Sequence, residues 1–517
     1  MRRVSIAAGS HLAADAGAAI ADDGGNAVDA TVAAVLVSMC TDPGIIAPGA
    51  GGFLTIWPQG ADPVVIDAYA EMPGRGLGHE RRGTGGREVW LEYGGGLHTV
   101  VGPGSVAVPG ALAGLALAVE RFGRLPWSAV VEPAIEAVAA GFPLSAAAGA
   151  YLAYSHDSIF GWDPASREVL HHSDGTPLGE GDIVNIPDLV DTLRAIAYEG
   201  VDVLYRGDLG RHIAAAVQEG DGLLTVEDLA GYRPEVRRPL LAAVDTWMAA
   251  TNPPPAVGGA CLAAMLLLLD DHPFATWSAD EVEHLARVQR AVLTYRRRRL
   301  DPAASDRERE AAALLDMARV GDLEGVLTAP STVHTSGVDT DGLGCSVTVS
   351  AGYGSGMMVQ GTGFWLNNSL GEMELHPDGF HHPLAGTRLV SNMAPTVARS
   401  SDGVILAIGS AGADRITTAI TTVLLNFIHL GMSLREAVAH PRVHVETFDG
   451  TPRIAHEPGL PVGAFDDLVP RRFPDMSMYF GGVQAALWDP VAGLYEAADP
   501  RRTGGTARGG AAPTASP

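Results

Sequence analysis

The sequence contains no lysine, because all 35 of its basic residues are arginine, and they stand against 60 acidic residues. The lack of lysine excludes a Schiff-base or pyridoxal-phosphate lysine and the lysine of a Walker P-loop. The resulting net charge of −25 makes nucleic acid and anionic membrane surfaces unfavourable partners. These absences direct attention to chemistry that uses hydroxyl, carboxylate, imidazole or backbone groups.

Cysteine and long apolar runs are also scarce. The three cysteines, Cys40, Cys261 and Cys345, are widely separated and form no CxxC pair, which argues against a disulfide framework and a zinc site. We therefore expect no metal and no cofactor. The longest strongly apolar run, residues 262–269, is far shorter than the roughly 20 residues of a membrane-spanning helix. Acidic residues interrupt the first apolar stretch, so no secretory signal is predicted and a soluble, cytoplasmic protein is expected.

The chain nevertheless has enough apolar material for a large core, with 517 residues of which 47% are hydrophobic. Helical periodicity dominates the first half, and β-prone runs dominate the second half, which indicates a layered α/β architecture. Asn26 is placed as the N-cap of a helix. The predicted elements are helices at 13–20, 26–39, 111–121, 414–430 and 434–439, mainly helix over 130–320, and strands at 53–57, 64–68, 332–338, 345–350, 364–367, 389–398, 404–409 and 485–488.

Several short segments are individually weak motifs, but their order along the chain is informative. They are Gly24–Ala30, Pro48–Phe53, Gly104–Gly110, Pro254–Gly259, Ser331–Ser336, Leu366–Asn368, Ser391–Thr396 and Gly409–Ile416. In this order they resemble the γ-glutamyltranspeptidase family of N-terminal nucleophile hydrolases, and the resemblance extends from about Val4 to Asp489.

The resemblance implies a four-layer αββα sandwich and a precursor that cleaves itself between Ser331 and Thr332. A large subunit segment, 1–331, and a small one, 332–500, would then share one fold, whereas residues 501–517 are expected to be a disordered tail. Cleavage frees the α-amino group of Thr332, whose ordinary pKa is roughly 7.7–8.0. The same residue then supplies both the nucleophile and its base, as a weakly nucleophilic hydroxyl requires.

The resemblance also assigns the groups around the nucleophile. The backbone N–H groups of Gly412 and Ala413 correspond to the family's oxyanion hole, and Ser350 corresponds to a hydroxyl residue that steadies the nucleophile. Alanine at 413 departs from the family's glycine, and its N–H is expected to remain a donor provided that φ is not strongly positive. No metal ion takes part in this arrangement.

The pocket for the acyl group departs further from the family pattern. Tyr69 stands where family members have an arginine for the α-carboxylate of a γ-glutamyl group. Glu372 replaces an aspartate that receives the α-amino group, and Ser391 and Asn392 replace a pair of serines. The loop between Glu372 and Ser391 is short, which argues against a long lid. We expect an altered acyl pocket.

The leading functional hypothesis is a self-processed threonine hydrolase, a zymogen-derived enzyme that acts through an acyl-enzyme on a small substrate. One specific form is a carbon–carbon bond hydrolase in 4-alkylproline-type antibiotic biosynthesis, where related proteins cut next to an oxalyl carbonyl. An alternative is a true γ-glutamyl hydrolase or transferase, acting on glutathione-type substrates, that holds the carboxylate with Arg75 or Arg388. A third is an unprocessed, non-catalytic binding homologue. The expected partners are the substrate and the two chains of the precursor, and a homo-oligomer is left open.

Overall fold

The computed structural model describes residues 3–92, 96–270, 272, 274–320, 333–376, 379–413, 415–448 and 451–510. Ser331 and Thr332, which the sequence analysis assigns to self-cleavage, lie outside these residues, and so do residues 511–517.

Strands and helices alternate along the described residues. The strands are β1 Val4–Ala8, β2 Gly51–Trp57, β3 Val64–Ala68, β4 Arg87–Leu91, β5 Leu97–Val101, β6 Phe142–Pro143, β7 Ile183–Val184, β8 Glu235–Arg237, β9 Leu240–Val244, β10 Trp247–Thr251, β11 Val333–Asp339, β12 Gly344–Ser350, β13 Met358–Val359, β14 Phe364–Trp365, β15 Thr396–Ser400, β16 Ile405–Ala411, β17 Val443–Phe448, β18 Thr451–His456, β19 Val469–Arg472, β20 Gly482–Asp489, β21 Gly493–Ala498 and β22 Gly505–Gly509. The helices are α1 His11–Asp22, α2 Ala27–Thr41, α3 Ala111–Phe122, α4 Trp127–Ala140, α5 Ala146–Ser155, α6 Pro164–Leu170, α7 Pro187–Tyr198, α8 Asp202–Tyr205, α9 Asp208–Glu219, α10 Val226–Gly231, α11 Gly258–Asp270, α12 Ala279–Tyr295, α13 Arg307–Arg319, α14 Arg415–Leu424 and α15 Leu434–Ala439. Within the described part of the chain, none of these helices combines the length and apolarity needed to cross a lipid bilayer.

Two antiparallel sheets form the centre of the molecule. The first has the strand order β22-β1-β11-β12-β2-β3-β8, and the second has the order β21-β20-β16-β15-β10-β9. The sheets pack face to face through β11 and β12 on one side and β16 and β20 on the other. Helices α1, α2 and α3 cover the first sheet, and α11 and α14 cover the second. This arrangement is the αββα sandwich predicted from the sequence.

Helix α2 shows how the sequence determines one of these layers. The side chain of Asn26 accepts hydrogen bonds from the backbone N–H groups of Val28 and Asp29, and the carboxylate of Asp29 accepts one from the N–H of Asn26. This capping box fixes the helix start and confirms the predicted N-cap. All residues of α2 are buried, because the helix lies between the first sheet and neighbouring helices.

Several segments differ from the sequence-based prediction, among them the strand predicted at 389–398, of which only residues 396–398 lie in β15. Strands β8, β9 and β10 lie in a region predicted to be mainly helical. They form strands because β10 pairs with β15 and β9, and this pairing overrides the helical propensity of the alanines in these segments. The segment predicted to begin a disordered tail contains β22, which pairs with β1 along its whole length. This strand could not be predicted from its polar, glycine-rich composition, since main-chain pairing at a sheet edge requires no apolar pattern.

Candidate active site

The candidate site lies where β11 begins. Val333 is the first described residue of this strand, and it pairs with Val349 on β12. Ser350 comes next as the last residue of β12, is 3% exposed, and accepts a hydrogen bond from the Gly352 N–H at 3.1 Å. The predicted supporting hydroxyl therefore lies at a buried strand end, one residue beyond the partner of Val333.

His334 is fixed between the two sheets by hydroxyl groups. Its Nδ1 lies 2.8 Å from Oγ1 of Thr348, and its Nε2 lies 2.8 Å from Oγ of Ser336. Because the Ser336 hydroxyl donates to the carbonyl of Gln484, it accepts the proton on Nε2, and Nδ1 accepts the hydroxyl proton of Thr348. Burial lowers the pKa of His334 to about 3, so the ring is neutral at pH 7. These contacts make His334 a structural support for β11.

A strained turn joins β16 to α14. Gly412 has a φ of 119° and Ala413 a φ of 70°, and both residues are buried. The sequence analysis expected an ordinary φ at residue 413, and the positive φ differs from that expectation. This left-handed conformation costs an alanine roughly 1–2 kcal/mol. Among the described residues, neither backbone N–H donates a hydrogen bond. Two adjacent buried donors at the positive end of a helix dipole are suited to stabilise an oxyanion.

The predicted acyl-pocket residues Tyr69 and Glu372 come together beside Ser350. Ser350 pairs with Gly51, and a Cβ at Gly51 would lie 3.1 Å from Cδ2 of Tyr69. A Cβ at Gly352 would lie 3.3 Å from the carboxyl carbon of Glu372. The Tyr69 hydroxyl lies 3.5 Å from Oε1 of Glu372, and both side chains are buried. This buried cluster therefore contains a phenol at position 69, where the sequence analysis noted the lack of an arginine.

The ionisation of this pair follows from its environment. Burial, followed by the charge of Glu374, raises the pKa of Glu372 well above its ordinary value. Burial, followed by the charge of Glu372, raises the pKa of Tyr69 well above its ordinary value. The phenol is therefore a neutral group that can donate a hydrogen bond, whereas Glu372 exchanges between a carboxyl and a carboxylate at a raised pH.

Ser391 and Asn392 lie on a segment that runs beside the residues following β3. The Leu389 N–H donates to the carbonyl of Ala70 at 2.9 Å, which holds this segment near Tyr69. The Ser391 hydroxyl accepts a hydrogen bond from the Met393 N–H at 3.2 Å, and Asn392 is 5% exposed. Both residues are buried, and they follow Leu389 on the segment that contacts Ala70.

The two arginines considered as substitutes for the missing cation are already engaged. Arg75 forms ion pairs with Glu71 at 3.0 Å and Asp228 at 3.4 Å. Arg388 donates to the carbonyl of Tyr69 at 2.6 Å and forms an ion pair with Glu71 at 3.5 Å. Each guanidinium therefore organises the loop around Tyr69, and using it for a substrate would break existing ion pairs.

The cysteines do not provide an alternative nucleophile. Cys40, Cys261 and Cys345 are all buried. Burial raises the pKa of each thiol to about 12, which leaves almost no thiolate at neutral pH.

Arg502 is a residue that the sequence analysis missed. It lines a cavity of about 20 Å³ together with Val333 of β11, Ala411 of β16 and Asp42. Arg502 is 7% exposed, and its guanidinium forms no hydrogen bond or ion pair with any residue that the structure describes. The sequence offered no signal for it, because Arg502 lies in the segment that was expected to be disordered.

Known proteins resemble this chain over most of its length. The family model for gamma-glutamyltranspeptidase matches residues 13–509. The Acylase ACY 1 proenzyme of Pseudomonas sp. (strain SE83) is 30% identical over 547 residues, which cover 97% of this chain and 94% of the relative. The glutathione hydrolase proenzyme of Pseudomonas aeruginosa is 29% identical over 480 residues, which cover 85% and 82% of the two chains. The structure of the cephalosporin acylase from Bacillus halodurans has the same fold, with a TM-score of 0.78, 24% identity and coverage of 98% and 96%.

Proposed function

The chain belongs to the γ-glutamyltranspeptidase family, and we propose that it is a self-processed hydrolase in which Thr332 attacks a small acyl substrate. In this proposal the bond between Ser331 and Thr332 is cleaved, the hydroxyl of Thr332 forms an acyl-enzyme, and water releases the product. The large and small segments, 1–331 and 332–500, remain together in one fold.

The observation that carries the proposal is the pair of buried N–H groups at Gly412 and Ala413. They follow Ala411, which lines the same small cavity as Val333 at the start of β11. In this proposal the tetrahedral intermediate forms at Thr332, which is next to Val333. Its oxyanion therefore needs hydrogen-bond donors at this place. Removing one such donor typically raises the barrier by about 2.7–4 kcal/mol. A Cβ at Gly412 would lie 2.5 Å from Cα of Gly481, so only glycine fits this turn.

The nucleophile in this proposal relies on its own α-amino group. Both ring nitrogens of His334 are occupied by hydroxyl contacts, and burial keeps the pKa of His334 at about 3, so this histidine is a poor general base. The freed amino group of Thr332, with an ordinary pKa of roughly 7.7–8.0, is the better match to neutral pH. Ser350 would support the Thr332 hydroxyl from the neighbouring strand end.

The substrate we propose carries no carboxylate in its acyl part. Tyr69 fills the position of the expected arginine, Arg75 and Arg388 are held by ion pairs, and Glu372 faces the same space. This pocket favours an acyl group with an amine or a neutral polar end over a γ-glutamyl group. The acylase named among the relatives supports an amide-cleaving activity, whereas the glutathione hydrolase relative supports the alternative of a true γ-glutamyl enzyme.

A second candidate function is separate from this one, because its oxalyl acyl group carries a carboxylate. Attack on an activated ketone and expulsion of a stabilised carbanion would use the same Thr332 hydroxyl and the same donors at Gly412 and Ala413. The carbon–carbon bond beside an oxalyl carbonyl, as in 4-alkylproline-type biosynthesis, is therefore the second candidate. Product analysis by mass spectrometry distinguishes it, because this reaction releases oxalate and an amide hydrolysis releases an amine.

Processing provides the first test. Purified protein should run as two bands, and N-terminal sequencing of the smaller chain should begin at Thr332. Thr332→Ala should run as one band and lose turnover, whereas Cys345→Ala should do neither. A single unprocessed band from the unaltered sequence would instead support the non-catalytic binding homologue.

Substrate preference provides the second test. We would compare three p-nitroanilides that differ only in the acyl group: γ-glutamyl with both charges, 4-aminobutyryl with the amine alone and glutaryl with the carboxylate alone. The proposal expects the highest kcat/KM for 4-aminobutyryl-p-nitroanilide. A preference for the γ-glutamyl compound would establish the alternative function.

A further inference from the structure

Arg502 occupies an unusual position for an arginine. The residue is 7% exposed, yet among the described residues its guanidinium has no carboxylate, carbonyl or hydroxyl partner. Its two neighbours in the sequence differ, since Arg501 is bound by Glu457 and Asp499 and Thr503 is exposed. A buried cation without a partner destabilises a fold, so a protein retains one where the cation serves another purpose.

The position of Arg502 relative to β11 suggests that purpose. In the first sheet β11 has β1 and β22 on one flank and β12, β2 and β3 on the other. Arg502 precedes β22, whereas Tyr69 follows β3 and Glu372 lies beside Gly352. Arg502 and the candidate acyl pocket therefore lie on opposite flanks of the strand that follows Thr332.

Arg502 also lies close to the candidate oxyanion hole. A Cβ at Gly482 would collide with the Arg502 side chain, and Gly481 packs against Gly412. Arg502, Ala411 and Val333 line one cavity of about 20 Å³. That volume accommodates about one water molecule or one small terminal group, and not a whole metabolite.

The other charged group in this cavity is Asp42. It is 5% exposed and forms no ion pair with Arg502, although both residues line the same space. Burial raises the pKa of Asp42 to about 6. The remaining lining is apolar or neutral, and Gln484 contributes a side-chain Oε1 that is buried without a partner among the described residues. Arg502 is thus the one lining group in the described residues that can pair with an anion.

We propose that Arg502 binds a carboxylate on the leaving part of the substrate, close to the scissile bond. This inference rests on the proposed function for the direction of the substrate, because an acyl group on the Tyr69 flank places the leaving part on the Arg502 flank. The proposed substrate then carries its carboxylate in the leaving part, beyond the scissile bond. A γ-glutamyl substrate instead carries a carboxylate in its acyl group. A planar carboxylate suits both the guanidinium and the small cavity.

Binding of isolated leaving groups tests the proposal without relying on catalysis. The probes are 5-amino-2-nitrobenzoate and 4-nitroaniline, which differ by one carboxylate, and calorimetry measures their Kd values. The processed protein should bind the carboxylated probe roughly 10- to 150-fold more tightly, the range expected for one charge-assisted hydrogen bond. Arg502→Gln should abolish the difference, Arg502→Lys should keep part of it, and Asp42→Asn should increase it.

Arg508→Gln is the matched control, because Arg508 lies in the same terminal segment but is exposed and paired with Glu496. It should retain the preference for the carboxylated probe. Equal binding of both probes by the unaltered protein would overturn the proposal, and so would an unchanged preference in Arg502→Gln.

Kinetics and stability complete the test. With one acyl group, the 3-carboxy-4-nitroanilide should have a higher kcat/KM than the 4-nitroanilide, and Arg502→Gln should lower only the former. Equal losses for both substrates, or a lower Tm for Arg502→Met, would make Arg502 a structural residue and overturn the proposal. Full activity of Thr332→Ala would refute the proposed nucleophile while leaving the binding result for Arg502 intact.

Discussion

The Tyr69 hydroxyl lies 3.5 Å from Oε1 of Glu372, and the guanidinium groups of Arg75 and Arg388 are held by other partners. A pocket that ends in a phenol and an acid can accept an amine or a neutral polar group. It offers a carboxylate no cation, only the phenol and an acid that becomes a like charge once it loses its proton. This relationship is the physical basis of the proposed acyl specificity.

The first prediction concerns Tyr69→Arg. A guanidinium at this position can pair with a substrate carboxylate, and a charge-assisted hydrogen bond contributes about 1.5–3 kcal/mol. The ratio of kcat/KM for γ-glutamyl- to 4-aminobutyryl-p-nitroanilide should therefore rise by roughly 10- to 150-fold. Tyr69→Phe is the control, because it removes the hydroxyl without adding a charge, and it should not raise the ratio. An unchanged ratio in Tyr69→Arg would show that the acyl group does not approach residue 69.

The second prediction concerns pH and Glu372. Because burial and Glu374 raise the pKa of Glu372, the folded protein holds this proton at pH values where the unfolded chain has released it. The contribution of Glu372 to the free energy of unfolding is therefore complete below the unfolded pKa of about 4.3 and decreases as pH rises toward the folded value. Urea unfolding at pH 5 and pH 8 should show a smaller loss of stability in Glu372→Gln than in the unaltered protein. Equal losses would mean that Glu372 titrates normally.

The fold could be predicted from the sequence further than the site could. Strands β2, β3, β11 and β12 have apolar or alternating patterns, so their positions and the hairpin between the last two were predictable. Strand β22 was not, since Gly505–Gly509 owes its structure to pairing with β1. For the same reason Arg502 was missed, because its burial depends on contacts with residues far away in the sequence. Thr332 stays a prediction, since it lies outside the described residues.

The third prediction concerns Ala413→Gly. Glycine adopts the φ of 70° without the penalty that alanine incurs, so the free energy of unfolding should rise by about 1 kcal/mol. The backbone N–H is retained, so kcat should change little. Ala411→Gly is the matched control, because Ala411 lies in β16 and glycine there should destabilise by roughly 0.5–1 kcal/mol. Urea unfolding measures both, and destabilisation by Ala413→Gly would show that the alanine methyl group contributes packing that outweighs the backbone strain.

The last prediction concerns acid stability and His334. Burial lowers the pKa of His334 to about 3, so below the ordinary value of about 6.5 the unfolded chain binds a proton that the folded protein does not. Stability should therefore be complete above pH 6.5 and decrease as pH falls toward 3, by on the order of 4 kcal/mol from this residue. His334→Gln keeps a polar side chain between Thr348 and Ser336 but cannot titrate, so its stability should change less between pH 7 and pH 4. His212→Gln is the control, because it removes an exposed imidazole instead of a buried one. An identical pH dependence in His334→Gln would assign the acid sensitivity to other groups, of which His376, with a pKa lowered to about 4 by burial, is the next to test.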